Sequence, residues 1–199
     1  PLHSHFKTYT MTNIIRYFKQ IQLTTNQLLL LTCSYIALIL NLPFLIKVST
    51  AITSLNNYNI WFLLSLPIFL LCLILIIQGL IAFRWMTKFV LILTVVCAAL
   101  IFYATVTYGI VFDYGMVQNT IETDTAEALS YVNIYAIVFF LIFAVIPAWL
   151  IYTVKLTYKP FVKELLTRIK LLSVSLIMVV IVGSIFSSNY ASVGRNNKD

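Results

Sequence analysis

Long apolar stretches separated by short polar segments run along the whole chain. Charged residues are absent from five stretches: 21–46, 48–83, 89–112, 128–154 and 171–194. Each can hold the roughly 20 apolar residues that carry a helix across about 30 Å of hydrocarbon. Backbone amides in lipid must be bonded internally, and nothing here alternates like a barrel strand. The pattern therefore predicts five transmembrane helices, at about Gln27–Val48, Ile60–Ala82, Phe89–Thr107, Tyr131–Val154 and Leu171–Phe186.

These spans place the chain in the all-α class, as a polytopic membrane helix bundle. Hydrophobic residues make up 61% of the 199 and charged residues only 10%, whereas soluble domains carry about a quarter charged residues. Pro67 and Pro147 are predicted to kink the second and fourth spans. Cys33, Cys72 and Cys97 fall inside spans without CxxC spacing, so we expect packed thiols rather than disulfides or metal ligands.

Basic residues gather on one side of the predicted bundle. Ten of the thirteen precede the first span or lie in the second-to-third and fourth-to-fifth connections, namely Lys7, Arg16, Lys19, Arg84, Lys88, Lys155, Lys159, Lys163, Arg168 and Lys170. Because positive residues stay in the cytoplasm during insertion, this asymmetry predicts a cytoplasmic amino end and a carboxyl end across the membrane. It also explains the net charge of +7 without a nucleic-acid partner. The basic connections are also able to touch anionic headgroups.

The same pattern divides the chain into three parts. Residues 1–26 are predicted to be a cytoplasmic segment, and its first ten precede Met11 and are interpreted as an extension. Residues 27–187 form the five-helix transmembrane domain. Residues 188–199 resemble the start of a linker to a further domain, which is missing here.

The connection between the third and fourth spans contains many polar residues, unlike the apolar stretches on either side of it. The segment from Tyr108 to Ser130 is long for a simple link between membrane helices. Val117, Ile121 and Ala128 are able to form an apolar stripe at helical spacing. We therefore predict an amphipathic helix at the outer membrane surface between spans three and four.

Three polar residues recur on one face of that predicted helix. Asn119, Thr123 and Glu127 stand at i, i+4 and i+8. A carboxylate could pair with an ammonium, while the amide and hydroxyl donate to phosphate or ester oxygens, so the stripe could hold a zwitterionic headgroup. Spacing alone favours ordinary solvation of an exposed face. Solvation is also expected for the other acids of the segment, which lack calcium-loop spacing: Asp113, Glu122 and Asp124.

Two polar regions closely resemble the membrane domain of the lipid A phosphoethanolamine transferases, the family that includes the mobile colistin-resistance enzymes. The first contains Thr107, Tyr108, Gly109, Asp113, Met116, Gln118, Asn119, Thr123, Asp124 and Glu127. The second contains Ser187, Ser188, Tyr190, Ala191, Ser192, Arg195, Asn196 and Asn197. A cluster in the first span is similar as well: Asn41, Pro43 and Phe44.

The resemblance implies an enzyme of the bacterial inner membrane, with its carboxyl end in the periplasm. Such enzymes move phosphoethanolamine from phosphatidylethanolamine to lipid A. Their zinc and threonine nucleophile lie in a periplasmic domain missing here, so no catalytic residue, metal ligand or cofactor is expected in residues 1–199, and this fragment alone should be inactive. The resemblance places the donor-lipid site on Asn119, Thr123 and Glu127, the face found by spacing.

Two non-enzymatic alternatives stay open at this point. A small transporter subunit would carry ionisable or broken-helix elements near the middle of the bilayer, and the span centres carry no charge. A membrane anchor or scaffold is harder to exclude, because the fragment itself has no predicted chemistry. The oligomeric state and the preferred lipid A phosphate do not follow from the sequence.

Overall fold

The computed structural model describes residues 22–54, 59–109 and 133–190, and these are almost entirely helical. The regular elements, in chain order, are β1 Gln22–Thr24, α1 Thr25–Tyr35, α2 Leu42–Thr53, α3 Ile60–Ile81, α4 Thr87–Tyr108, α5 Ile134–Phe140, α6 Ile146–Thr153, β2 Lys155–Thr157 and α7 Phe161–Ile185. Short π-helical segments join α1 to α2 and α5 to α6, and a 3-10 turn at Arg84–Met86 leads into α4.

The described helices are long and apolar enough to cross a membrane. Four meet this criterion as single units: Ile60–Ile81, Arg84–Tyr108, Ile134–Thr153 and Phe161–Ile185. A fifth span results if the bent pair α1–α2 is counted as one. Only 17 to 33% of each apolar window is buried within the bundle, so most apolar side chains face outward. This confirms the predicted membrane helix bundle. The predicted surface helix between spans three and four lies outside the described residues.

The first span is broken rather than continuous. Its two halves, Thr25–Leu40 and Leu42–Thr53, meet at 56°. Pro43 lies in the first turn of α2, where its missing N–H is tolerated. The backbone and side-chain amides of Asn41 both donate to the Ile36 carbonyl, at 3.0 and 2.9 Å. Asn41 therefore satisfies a carbonyl that the break would otherwise leave free in lipid.

The last helix begins ten residues earlier than predicted. It starts at Phe161, after Pro160 at the N-cap, instead of at Leu171. Lys163, Arg168 and Lys170 therefore belong to its first turns, not to a connection. The helix is therefore longer than the charge-free stretch, because helical backbone continues through charged residues at the end of the bundle.

The two prolines that are predicted to kink their spans lie in different local structures. Pro67 lies inside α3, which runs without interruption. Pro147 lies in the first turn of α6, directly after the π-helical segment Leu141–Val145. The Tyr35 hydroxyl donates to the Phe143 carbonyl in that segment at 2.9 Å, so α1 supports the irregular turn. The fourth span is thus irregular directly before Pro147, which has no N–H to bond the preceding turn.

The core lies where α1 meets α4. Leu29, Cys33, Leu91 and Val95 are all fully buried there. Cys72 is also buried, whereas Cys97 is exposed on the outer face of the bundle. The prediction of packed thiols is therefore wrong for Cys97, because its helix turns that position outward.

A short parallel sheet closes one end of the bundle. Strands β1 and β2 pair with Gln22 opposite Lys155 and Thr24 opposite Thr157. We call this end, which includes Arg84 and the first turns of α4 and α7, the basic end. The opposite end, which includes Gly109, Asn133 and Tyr190, is the distal end. The pairing places the start of the first span beside the end of the fourth.

Candidate functional site

The predicted headgroup residues Asn119, Thr123 and Glu127 lie outside the described residues. Their shared face and their contacts therefore stay a prediction. The structure does describe the two points from which segment 110–132 departs and returns, Gly109 and Asn133. Those attachment points and their surroundings define the candidate site at the distal end.

Each attachment point is a helix terminus with a defined cap. Gly109 ends α4 in the left-handed conformation, with φ 65°, and its N–H donates to the Thr105 carbonyl at 3.0 Å. Glycine adopts this conformation without a Cβ penalty, which is why it ends helices so often. Asn133 begins α5, and its Oδ1 accepts the Ala136 N–H at 2.8 Å. The sequence thus fixes where the helices stop and the segment begins.

An aromatic cluster holds the two attachment points together. Tyr103 of α4 is 6% exposed, and its ring centroid lies 6.0 Å from Tyr108, 6.3 Å from Tyr135 and 5.3 Å from Phe139. Tyr108 is the last residue of α4, and Tyr135 lies in the first turn of α5. Since aromatic pairs at these distances are attractive, both ends of segment 110–132 are anchored at one place.

A second aromatic cluster lies where the chain leaves the last span. Phe62 is 1% exposed, and the ring of Tyr190 packs edge-on against it at 4.8 Å. Phe186 and Phe69 extend the cluster, at 5.5 Å from Phe62 and 5.4 Å from Tyr190 respectively. Burial raises the pKa of the Tyr190 phenol above its ordinary value. The exit segment, residues 186–190, therefore packs back along α3.

Polar contacts at the basic end join helices rather than assemble a reactive centre. The Thr25 hydroxyl donates to Glu164 Oε1 at 2.9 Å, joining α1 to α7. Lys88 donates to the carbonyls of Tyr152 and Val154 at 2.7 and 2.6 Å, joining α4 to the end of α6. Among the described residues, no group of three or more His, Cys, Asp or Glu side chains is placed to hold a metal ion.

The aromatic anchors are not predicted by the sequence pattern. Tyr108 enters only as the start of the long connection and through the family resemblance, and neither Tyr103 nor Tyr135 has a predicted role. Tyr135 and Phe139 stand four residues apart, on one helix face, but aromatic residues in an apolar span give the same signal when they face lipid. Only the packing of α4 on α5 separates these cases.

Comparison with known proteins points to one family. The family model described as Phosphoethanolamine transferase EptA/EptB matches residues 69–199. Phosphatidylethanolamine transferase Mcr-1 of Escherichia coli is 35% identical over 159 residues, which is 79% of this chain and 29% of Mcr-1. Phosphatidylethanolamine transferase Mcr-2 of Escherichia coli is 34% identical over 140 residues, which is 70% of this chain and 26% of Mcr-2.

The fold agrees with a solved relative. The integral membrane protein lipooligosaccharide phosphoethanolamine transferase A (EptA) from Neisseria meningitidis superposes with a TM-score of 0.80 at 27% identity. The match covers 89% of this chain and 33% of that protein. The chain therefore spans about a third or less of the length of these relatives, and corresponds to their membrane part.

Proposed function

The chain belongs to the phosphoethanolamine transferase EptA/EptB family, and we propose that it is the membrane part of an enzyme that moves phosphoethanolamine from phosphatidylethanolamine to lipid A. The observation that carries this proposal is the family match over residues 69–199. The shared fold of the membrane bundle supports it. A multi-pass bundle suits both substrates, because each is a lipid whose headgroup stays at the membrane surface.

In this proposal, segment 110–132 holds the donor headgroup through Asn119, Thr123 and Glu127. The Glu127 carboxylate pairs with the ethanolamine ammonium, and the other two side chains donate to phosphate or ester oxygens. The contacts of Tyr103 with Tyr108 and Tyr135 support this role, because they fix both ends of the segment at the distal end. A donor held at fixed depth and orientation presents its phosphorus to an attacking group at a lower entropic cost.

The proposal places the distal end in the periplasm and the basic end in the cytoplasm of a bacterial inner membrane. The contacts of Lys88 with Val154 and of Arg168 with Ala82 support this arrangement. They bring the two basic connections to the same end of the bundle, as the positive-inside rule requires. A glycosylation or cysteine-accessibility map of loop positions tests the orientation directly.

The chemical step is assigned to a further domain, as in the family that the sequence resembles. Zinc and the threonine nucleophile belong to that domain in this proposal, so residues 1–199 by themselves bind donor lipid without transferring its headgroup. The chain's own residues supply position, depth and exclusion of competing lipids. Transfer requires the complete enzyme.

Lipid binding by the 199-residue chain tests the headgroup site. The chain is reconstituted in nanodiscs that contain phosphatidylethanolamine and phosphatidylcholine, and retained lipid is counted by native mass spectrometry. We expect the wild type to retain phosphatidylethanolamine preferentially, and Glu127→Gln to lose about tenfold in that preference, equivalent to about 1.4 kcal/mol. The matched control is Glu122→Gln, which removes the same charge from the same segment off the proposed face.

A second readout tests the assignment to catalysis. In the complete enzyme that carries this chain, Glu127→Gln should reduce phosphoethanolamine on lipid A, measured by mass spectrometry, while Glu122→Gln leaves it unchanged. Equal lipid A modification by Glu127→Gln and wild type would refute the headgroup role. Modification of a different acceptor by the wild-type enzyme would instead refute the lipid A assignment.

A further inference from the structure

A cleft at the basic end is separate from the proposed donor-lipid site. It lies between the turn that connects α3 to α4 and the start of α7, and its volume is about 500 Å³. We call it the Arg84 cleft, and its lining residues are Phe83, Arg84, Trp85, Met86 and Phe161. Four of these five side chains are apolar, and one carries a permanent positive charge.

The guanidinium of Arg84 lies between two aromatic rings. Its central carbon is 5.8 Å from the ring centroid of Trp85 and 5.8 Å from that of Phe161. Phe83 packs edge-on against Phe161 at 5.9 Å, which fixes the α7 side of the cleft. Cation–π contacts of this kind orient a guanidinium while they leave its N–H donors available.

Those donors have no acceptor in residues 22–54, 59–109 or 133–190. Nε of Arg84 is buried without a hydrogen-bond partner in that part of the chain. Lys88 and Arg168 differ in that each donates to backbone carbonyls, Lys88 to Tyr152 and Val154 and Arg168 to Ala82, although Nε and Nη2 of Arg168 are also buried without a partner among the described residues. Arg84 is thus directed into the cleft rather than used as a helix cap.

The backbone at Arg84 is strained. Its φ is 47°, and it is the non-glycine residue with positive φ in the described part of the chain. Such a conformation costs about 1–2 kcal/mol for a residue that has a Cβ. Glycine would remove that cost and would also remove the guanidinium. The strain therefore accompanies a side chain that points into the cleft, and strained residues of this kind cluster at ligand sites.

The surroundings define the chemistry of an occupant. Trp85 is 80% exposed, and Met86 and Phe161 are more than half exposed, which leaves apolar surface beside the charge. Tryptophan at the end of a membrane helix typically lies at the level of the headgroups. Exposed lysines extend the positive field at this end, at Lys159 and Lys163. Among the described residues, the one acid is Glu164, which is buried and accepts a bond from Thr25.

We propose that the Arg84 cleft binds an anionic phospholipid of the cytoplasmic leaflet. The guanidinium donates to the phosphodiester oxygens, and an acyl chain lies against Trp85, Met86 and Phe161. Basic pockets between membrane helices on the cytoplasmic side bind anionic headgroups in this way. The lipid at this site differs in charge from the donor lipid. Its binding does not depend on the proposed transferase function, whereas its assignment to the cytoplasmic leaflet rests on the orientation proposed there.

The test compares lipids in the same nanodiscs. The 199-residue chain is reconstituted with phosphatidylglycerol and phosphatidylcholine in equal amounts, and retained lipids are counted by native mass spectrometry. We expect one phosphatidylglycerol to stay bound to the wild type. Arg84→Gly, which also relieves the positive φ, should weaken its retention about tenfold, and Arg84→Lys should weaken it less because the charge remains.

The matched control is Lys155→Gln, which removes one charge from the same end but outside the cleft. It should retain phosphatidylglycerol as the wild type does. The proposal is overturned if Arg84→Gly retains as much phosphatidylglycerol as the wild type, if Lys155→Gln loses as much as Arg84→Gly, or if the wild type shows no preference over phosphatidylcholine. The absence of a preference over phosphatidylcholine is also expected if residues 1–21 fill the cleft, and it overturns the proposal in that case too. Thermal unfolding of each variant in detergent verifies that the fold is intact.

Discussion

The guanidinium of Arg168 lies 2.8 Å from the carbonyl oxygen of Ala82, across the interface between α7 and the end of α3. The same nitrogen is 3.4 Å from the Gly79 carbonyl, and the Thr87 hydroxyl also donates to Ala82 at 3.2 Å. The last carbonyls of a helix have no partners within it, and a cation there is favourable. A cation that contributes to the predicted topology therefore also caps a neighbouring span.

We expect Arg168→Met to destabilise the bundle by about 3 kcal/mol. Arg168 is 2% exposed, so the substitution leaves the carbonyl of Gly79 without its donor and removes a cation that interacts electrostatically with buried Glu164. Unfolding in mixed micelles, followed by tryptophan fluorescence or circular dichroism, measures the effect. Lys170→Met is the control, because Lys170 is exposed on the same helix. Equal stability of both variants would show that Arg168 does not cap α3.

The contact between α3 and α7 depends on glycine at position 79. A Cβ at Gly79 would lie 2.5 Å from Leu172 Cδ2, whereas a Cβ at Gly183 meets nothing within 4 Å. We expect Gly79→Leu to destabilise the bundle by about 1–3 kcal/mol through overpacking. Gly79→Ala should cost less, since the end of the Leu172 side chain can rotate away. Gly183→Leu is the matched control and should be neutral or slightly stabilising, and a cost at Gly183 as large as at Gly79 would contradict the close approach.

The bend in the first span should depend on Asn41 as well as on Pro43. Spin labels at Leu30→Cys and Thr50→Cys, in a cysteine-free background, report the distance across the bend. Pro43→Ala alone should leave that distance unchanged, because both Asn41 amides still bond the Ile36 carbonyl. Adding Asn41→Leu should lengthen it towards the roughly 30 Å of a straight 20-residue helix. A distance that lengthens fully with Pro43→Ala alone would assign the bend to proline.

Tyr190 should stabilise the exit segment through its ring and not through its hydroxyl. Its oxygen is buried without a partner in the described residues, while its ring packs on Phe62 and Phe69. We expect Tyr190→Phe to change the free energy of unfolding by less than about 0.5 kcal/mol and Tyr190→Ala to cost about 3 kcal/mol. Tyr152→Ala, at a 71% exposed position, serves as the control. A loss above 1 kcal/mol for Tyr190→Phe would reveal an acceptor beyond residue 190.

Hydrophobic patterning determined the class of fold because the membrane constrains it strongly. Stretches of about 20 apolar residues are most stable in the hydrocarbon core of the membrane. There the backbone amides must bond within the chain, and a helix achieves this with neighbouring residues. The helix caps at Asn133 and Gly109 are also local, since each residue bonds a backbone group three or four positions away in the sequence. The candidate headgroup residues Asn119, Thr123 and Glu127 share a predicted face for the same local reason, and their role stays a prediction.

The rest was decided by contacts between residues far apart in the chain. The pairing of β1 with β2 is one such contact, between residues 22–24 and 155–157, and the hydrophobic pattern does not predict it. Lys88, Arg168 and Arg84 carry the same charge and follow the same topological rule, yet two cap helices and the third opens into a cleft. The sequence predicts the side of the membrane on which a cation lies. Which acceptor that cation finds depends on how the helices pack, because the free carbonyls come from other spans.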